Sequence, residues 1–225
     1  MRVRVAGPFQ FDQLQRCTGP QFDQFYALYA EAIAARERKP EAWICEMSGS
    51  ADYRVLLLQR DRQVIGFSVL FLPPREDFGV LEYMAVASQY RNAGLGTELF
   101  RRSLEIARQA WQSQPSSLLL EVDSDREDSP DRAVRRLRLQ FYRRLGCLAI
   151  AGLHYILPLP GVGPPPEMEL LVYRQPTRPD MRSQVPKSEV ARWLKTIYQK
   201  IYRCSPDDPR IQQMLSQLPD PVPLA

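Results

Sequence analysis

Apolar residues recur at Phe22, Phe25, Tyr26, Tyr29, Ala30 and Ile33, close to helical period, and predict a helix over about 22–35. A short strand (about Val3 to Phe11) precedes it, and the polar run Arg36 to Pro40 ends it, because a proline disfavours helix in the residue before it. A second short helix is expected over 41–47. Three strand-like runs follow, at 53–59, 63–72 and 78–87, the first two joined by Asp61-Arg62 as a hairpin turn. The next helix starts in a glycine turn and runs to Trp111, with Phe100, Leu104, Ala107 and Trp111 on one stripe. Leu118-Leu119-Leu120 marks a strand over 116–123 that is covered on both faces. A helix over 130–145 is expected to share one apolar face among Val134, Leu137, Phe141 and Leu145, with Gly146 at its C-cap. Strands over 148–157 and 169–174 flank a proline-rich loop at 158–166. Past Pro176 the pattern becomes an amphipathic helix over 187–202, carrying Val190, Trp193, Leu194, Ile197 and Ile201, and a short helix over 211–218. The expected organisation is an α/β (α+β) domain over 1–176, built on a central, mostly antiparallel sheet, and a C-terminal helical extension over 177–225.

Composition narrows this picture little. The 225 residues are 44% hydrophobic and 25% charged, an ordinary globular mixture. The net charge of +4 favours anionic ligands mildly and gives no argument for nucleic acid. Cys17, Cys45, Cys147 and Cys204 stand at no metal-ligand or redox spacing, and His154 is the one histidine, so neither a metal site nor a structural disulfide is expected. No apolar run approaches the length of a membrane span, and the N-terminus lacks the apolar core of a signal peptide. The expectation is a cytoplasmic protein with no membrane partner.

The segment richest in chemistry is Val80 to Arg101: a strand, then Arg91-Asn92-Ala93-Gly94-Leu95-Gly96-Thr97, then a helix. A helix N-terminus leaves backbone N–H groups unpaired and carries partial positive charge. Glycines there let backbone approach a ligand, so strand, glycine turn and helix make a phosphate cradle. The chain has no Walker A run, and only Gly-x-Gly where a dinucleotide fingerprint needs a third glycine. Arg101 and Arg102 lie close enough in sequence to add positive charge.

Leu81-Glu82-Tyr83-Met84-Ala85-Val86, followed by Gln89-Tyr90-Arg91-Asn92-Ala93-Gly94-Leu95-Gly96-Thr97-Glu98-Leu99, resembles the acetyl-CoA motif of GNAT N-acetyltransferases. Phe141-Tyr142-Arg143-Arg144-Leu145-Gly146-Cys147 resembles the family's second signature, with Cys147 where a phenylalanine is usual. The resemblance covers roughly Arg54 to Arg174 and implies the GNAT fold, a central mixed, mostly antiparallel twisted sheet flanked by helices. It also implies transfer of an acetyl group from acetyl-CoA to a primary amine by direct attack in a ternary complex. By the same resemblance, the pantetheine arm pairs with the backbone of Met84, Ala85 and Val86. The pyrophosphate rests on the amides of Arg91, Asn92, Ala93, Gly94, Leu95, Gly96 and Thr97. Tyr142 protonates the departing thiolate.

An acceptor amine must lose a proton to attack, and Glu82 is the candidate base: the period-two rule puts it on one strand face with Val80, Met84 and Val86. Glu121 and Asp123 are second candidates. Glu31, Glu37 and Glu41 are expected to be solvated. The charged link from Ser124 to Asp131 replaces a stretch in which many relatives carry an asparagine, and is either a lid or a solvated loop. The six arginines between Arg132 and Arg144 are expected to face solvent, and His154 to be structural. The acceptor itself is not identified, being a small-molecule amine, a protein lysine or an N-terminus. The Trp193 face is expected to dock within the chain, with a homodimer contact left open. The alternative to an enzyme is a non-catalytic acyl-CoA-binding module that holds a partner through its tail.

Overall fold

A computed structural model describes residues 9–111, 116–159, 167–174 and 183–225. The expected start of the first strand and most of the proline-rich loop lie outside these residues. The chain divides into two compact units, Met1–Gln114 and Pro115–Ala225.

In the first unit, β1 (Gln10–Gln13), β2 (Tyr53–Arg60), β3 (Gln63–Phe71) and β4 (Phe78–Val86) form an antiparallel sheet in chain order. Asp61 and Arg62 both take positive φ, the geometry that lets a two-residue turn follow the twist of its strands. Helix α1 (Pro20–Ala32) buries Phe22, Phe25, Leu28 and Tyr29 against one face of the sheet, and α2 (Glu41–Gly49) adds Ile44 and Met47. Phe25 meets Phe67 of β3 edge-on at 5.1 Å between ring centroids. The opposite face packs Leu56, Leu58 and Ile65 under Leu95 and Leu99 of α3 (Leu95–Ala110). The α3 stripe is largely as expected, with Phe100, Leu104 and Ala107 buried.

Two expectations for this unit are overturned. Cys17 and Cys45 are joined as a disulfide, their Cα atoms 4.8 Å apart. Their separation of 28 residues in sequence hid a proximity created when the segment before α1 meets α2. Glu37 is buried, not solvated, and its carboxylate meets Arg36 at 3.5 Å. It lies in a 3-10 turn (Ala35–Glu37) that carries the chain inward between α1 and α2. Glu31 and Glu41 are exposed as expected.

In the second unit, β8 (Glu167–Arg174) pairs antiparallel with β5 (Ser117–Asp123), and also with the short strands β6 (Leu148–Ala149) and β7 (Tyr155–Ile156). The strand expected over 148–157 is therefore two short ones separated by a turn in which Gly152 has positive φ. Leu118, Leu119 and Leu120 are all buried. Helix α4 (Arg132–Arg144) lies next in the chain after β5. A second, two-stranded sheet pairs β9 (Gln184–Val185) with β10 (Val222–Pro223). Between them, α5 (Lys187–Thr196) runs into a π-helical turn (Ile197–Ile201) and is followed by α6 (Pro209–Ser216). Val190, Trp193, Leu194, Ile197 and Ile201 are buried inside this unit, as expected of an internal docking face.

The apolar face expected on α4 is corrected. Val134 and Leu137 are 54% and 62% exposed, and the buried positions are Arg135, Leu139 and Tyr142. Arg135 is pulled inward by Asp131 at 2.9 Å and Glu127 at 3.0 Å, which turns the helix by about a residue from its apolar reading. The link from Ser124 to Asp131 is consequently an ion-paired loop. Arg135 holds the Asp131 carboxyl down at about 2, Arg136 meets Asp125 at 3.1 Å, and Arg126 meets the buried Glu169 at 2.8 Å. Arg126 also contacts His154 Nδ1, on an exposed histidine. Leu139→Ala should cost about 2–5 kcal/mol in urea denaturation, whereas Leu137→Ser should stay within about 0.5 kcal/mol of the parent.

Candidate active site

The turn between β4 and α3 takes its shape from two left-handed residues. Asn92 has φ 63° and Gly94, the N-cap of α3, has φ 83°. A 3-10 turn (Ser88–Tyr90) first brings the chain off the strand, and Arg91 Nε then donates to the Val86 carbonyl at 3.0 Å, tying turn to strand end. Leu95, buried under the sheet, pins the helix start, while Arg91, Asn92 and Gly94 are exposed and Ala93, Gly96 and Thr97 half-buried. No side chain caps α3, so its first N–H groups point out of the helix end without a side-chain acceptor. A Cβ on Gly94 would meet nothing within 4 Å, so the space over the turn is open. These features fit an anionic group resting on backbone amides. Of the two arginines expected to help, Arg102 is engaged with Glu105 at 2.6 Å.

Met84, Ala85 and Val86 pair with Ser68, Phe67 and Gly66 of β3 and are half-buried, in contrast to the buried first part of β4. Just before them the register slips: Tyr83 opposes Val69 but Leu81 opposes Leu70, which leaves Glu82 as an extra, bulged residue. The bulge overturns the expected side-chain alternation. Met84 and Val86 pack with the α3-side cluster, but Glu82 turns to the α1–α2 side, where Tyr83 also packs.

There Glu82 Oε2 accepts a hydrogen bond from Lys39 Nζ, and both side chains are sealed from solvent, 0% and 1% exposed. Lys39 was not among the residues singled out from the sequence. It lies in a polar run before a proline, and nothing in that run's periodicity marks it as buried. Its backbone N–H donates to the Tyr29 hydroxyl at 2.8 Å, and its ammonium lies 5.5 Å from the centre of the Tyr83 ring. Burial pushes the Tyr29 hydroxyl up to about 12, so it remains neutral. Tyr83 donates in turn to the Glu37 carbonyl at 3.0 Å.

In the second unit Tyr142 is buried at the end of α4, and burial raises its hydroxyl well above the usual phenol range despite the nearby Arg138 cation. It remains a protonated donor throughout the physiological range. Cys147, at the usual phenylalanine position, is buried with its thiol pushed up to about 12 by burial. It therefore packs as a small apolar group. The second-choice carboxylates are both engaged. Glu121 accepts hydroxyls from Tyr155 and from Tyr202, the latter at 2.7 Å, and Asp123 pairs with Arg138. Among the described residues no cluster of metal-ligating side chains occurs, and no helix is long and apolar enough to cross a membrane.

The buried pair makes a quantitative prediction. Lys39→Met strands an uncompensated carboxylate and should cost about 3–5 kcal/mol. Adding Glu82→Leu should restore most of that loss, as read from urea midpoints of the single and double variants.

Comparison with known proteins agrees with this geometry. The acetyltransferase (GNAT) family model matches residues 20–146, more than half of the chain. No curated protein matches in sequence. Among solved structures, a GNAT-family acetyltransferase from Bacteroides thetaiotaomicron is 18% identical with a TM-score of 0.64, over 87% of this chain and 99% of its own. The ribosomal-protein-S18-alanine N-acetyltransferase of Escherichia coli is 16% identical with a TM-score of 0.53, over 74% of this chain and 94% of its own. An acyl-CoA N-acyltransferase from Pseudomonas aeruginosa is 17% identical with a TM-score of 0.52, over 74% and 99%. At these identities the structural likeness speaks for the fold, a mostly antiparallel sheet flanked by helices, and with the family match it shows that the chain belongs to the GNAT acetyltransferase family.

Proposed function

We propose that the protein transfers an acetyl group from acetyl-CoA to a primary amine by direct attack in a ternary complex. The observation that carries this reading is the uncapped start of α3, entered through left-handed Gly94 beneath open space. The pyrophosphate would rest on the amides of Arg91 to Thr97, where the helix dipole and unpaired N–H groups favour negative charge. The half-buried end of β4, Met84 to Val86, would receive the pantetheine arm along its backbone.

The amine nitrogen attacks the thioester carbon, the N–C bond forms and the C–S bond breaks. Glu82 takes the proton from the amine, and Tyr142 gives its proton to the thiolate. Burial keeps this phenol protonated, so its hydroxyl is available to donate a hydrogen bond to the sulfur as charge develops there. Glu121 has both oxygens engaged, by Tyr155 and Tyr202, and Asp123 pairs with Arg138, whereas Glu82 keeps Oε1 without a hydrogen-bond partner and is the better supported base.

Two experiments test the reading. Calorimetric titration should detect acetyl-CoA binding to the parent protein and none to Gly94→Glu, whose side chain meets no neighbour and whose left-handed φ of 83° should cost about 1–2 kcal/mol of stability without unfolding the protein. Binding that survives in Gly94→Glu would remove the turn as the cofactor site. Second, in a CoA-release assay, Tyr142→Phe should lower kcat at saturating acetyl-CoA by about 10²-fold or more. Unchanged turnover would remove Tyr142 as the acid.

A further inference from the structure

The two oxygens of Glu82 differ. Oε2 is bound by Lys39, whereas Oε1 is buried and has no hydrogen-bond partner. A buried ion pair kept only for structure has its remaining lone pairs satisfied, because a stranded charged oxygen is costly. Contacts on its backbone and its ammonium place Lys39 beside the other oxygen. Its backbone is held by Tyr29, its ammonium lies over the Tyr83 ring, and Tyr83 is fixed by the Glu37 carbonyl. Beside the pair lie the Tyr29 hydroxyl, which burial keeps neutral, and the Tyr83 ring, whose hydroxyl donates to the Glu37 carbonyl.

We infer that Lys39 determines acceptor specificity: its fixed ammonium beside Glu82 selects amines that arrive uncharged, such as the α-amino group of an amino acid or peptide, over strongly basic amines such as a lysine side chain. This rests on the reading of Glu82 as the group that takes the acceptor's proton. A lone carboxylate would draw in an ammonium ion. A carboxylate already bound by Lys39 attracts a cation less, and a second cation at Oε1 would lie within a few ångströms of Nζ, where little water screens the repulsion. A neutral amine meets no such barrier and donates an N–H to the buried oxygen that lacks a partner. At pH 7 roughly one α-amine in ten is neutral, against roughly one lysine amine in 2,500. The acceptor's proton then passes to Oε1 as the N–C bond forms and the C–S bond breaks, with the thiolate reprotonated by the general acid. Lys39 is thus a positioning residue that acts through Glu82.

The test compares two acceptors of similar size at pH 7: Ala-Gly-Gly, which has only an α-amine, and Nα-acetyl-lysine amide, which has only an ε-amine. Values of kcat/KM are measured by CoA release. The readout is their ratio within one enzyme sample, which cancels any loss of folded protein in a destabilised variant. The parent protein should favour the α-amine. Lys39→Met should shift the ratio toward the ε-amine by at least tenfold, and Lys39→Arg, which keeps the charge, should retain the parent ratio. A parent preference for the ε-amine overturns the inference, as does a ratio unchanged in Lys39→Met. Should Lys39→Met not fold, the parent and Lys39→Arg ratios still decide it: both must favour the α-amine. Acetyl-CoA binding without turnover of either amine contradicts the inference and leaves the cofactor reading standing. No acetyl-CoA binding contradicts both.

Discussion

The ammonium–carboxylate contact between Lys39 and Glu82 is the point at which the first unit's helices and sheet are tied by charge. Removing both groups from water is expensive, and is tolerable only where geometry is held tightly and the surroundings are well packed. Much of the unit's local architecture follows from this. A β-bulge turns Glu82 off the face its position in the strand would give it. A 3-10 turn leads Lys39 inward before Pro40 starts α2. Tyr29 and Tyr83 meet edge-on at 5.1 Å and close over the pair. Beyond the bulge, the last three residues of β4 stay paired with β3 and are half-buried, next to the glycine turn.

The second unit uses charge differently. Its ion pairs surround Arg135 and bind the link from Ser124 to Asp131 to α4. Glu121 gathers hydroxyls from β7 and from the end of the π-helical turn, so the C-terminal helices are hydrogen-bonded to the strand that carries Glu121. The C-terminal helices are thus integral to the packing of the unit that contains Tyr142. Tyr198, buried among them, donates to the Ile156 carbonyl and adds a further tie.

Most elements were legible in sequence because their apolar periods are local properties. The α1 face, the Leu118–Leu120 strand, the hairpin at Asp61-Arg62 and the glycine turn each announce themselves within a few residues. What escaped was decided by partners distant in the chain. Lys39 reads as part of a solvated run until β4 supplies a carboxylate. Glu82 changes face because the pairing of β3 with β4 slips by one residue, which no pattern within β4 reveals. Arg135 takes an inward position that Val134 and Leu137 were expected to hold, because acids in the preceding loop draw it there. Cys17 and Cys45 meet only through the placement of α2 beside the segment before α1. The candidate site was therefore readable where backbone makes it and obscure where side-chain charges from separate segments complete it.

The central claim is that backbone amides at the start of α3, with the end of β4, hold the cosubstrate. Amide hydrogen exchange followed by mass spectrometry, with and without saturating acetyl-CoA, tests it most directly. The account predicts slowed exchange concentrated in 84–97, with the amides from Arg91 to Thr97 most protected. Exchange unchanged there, or protection confined to other segments of the chain, would contradict it.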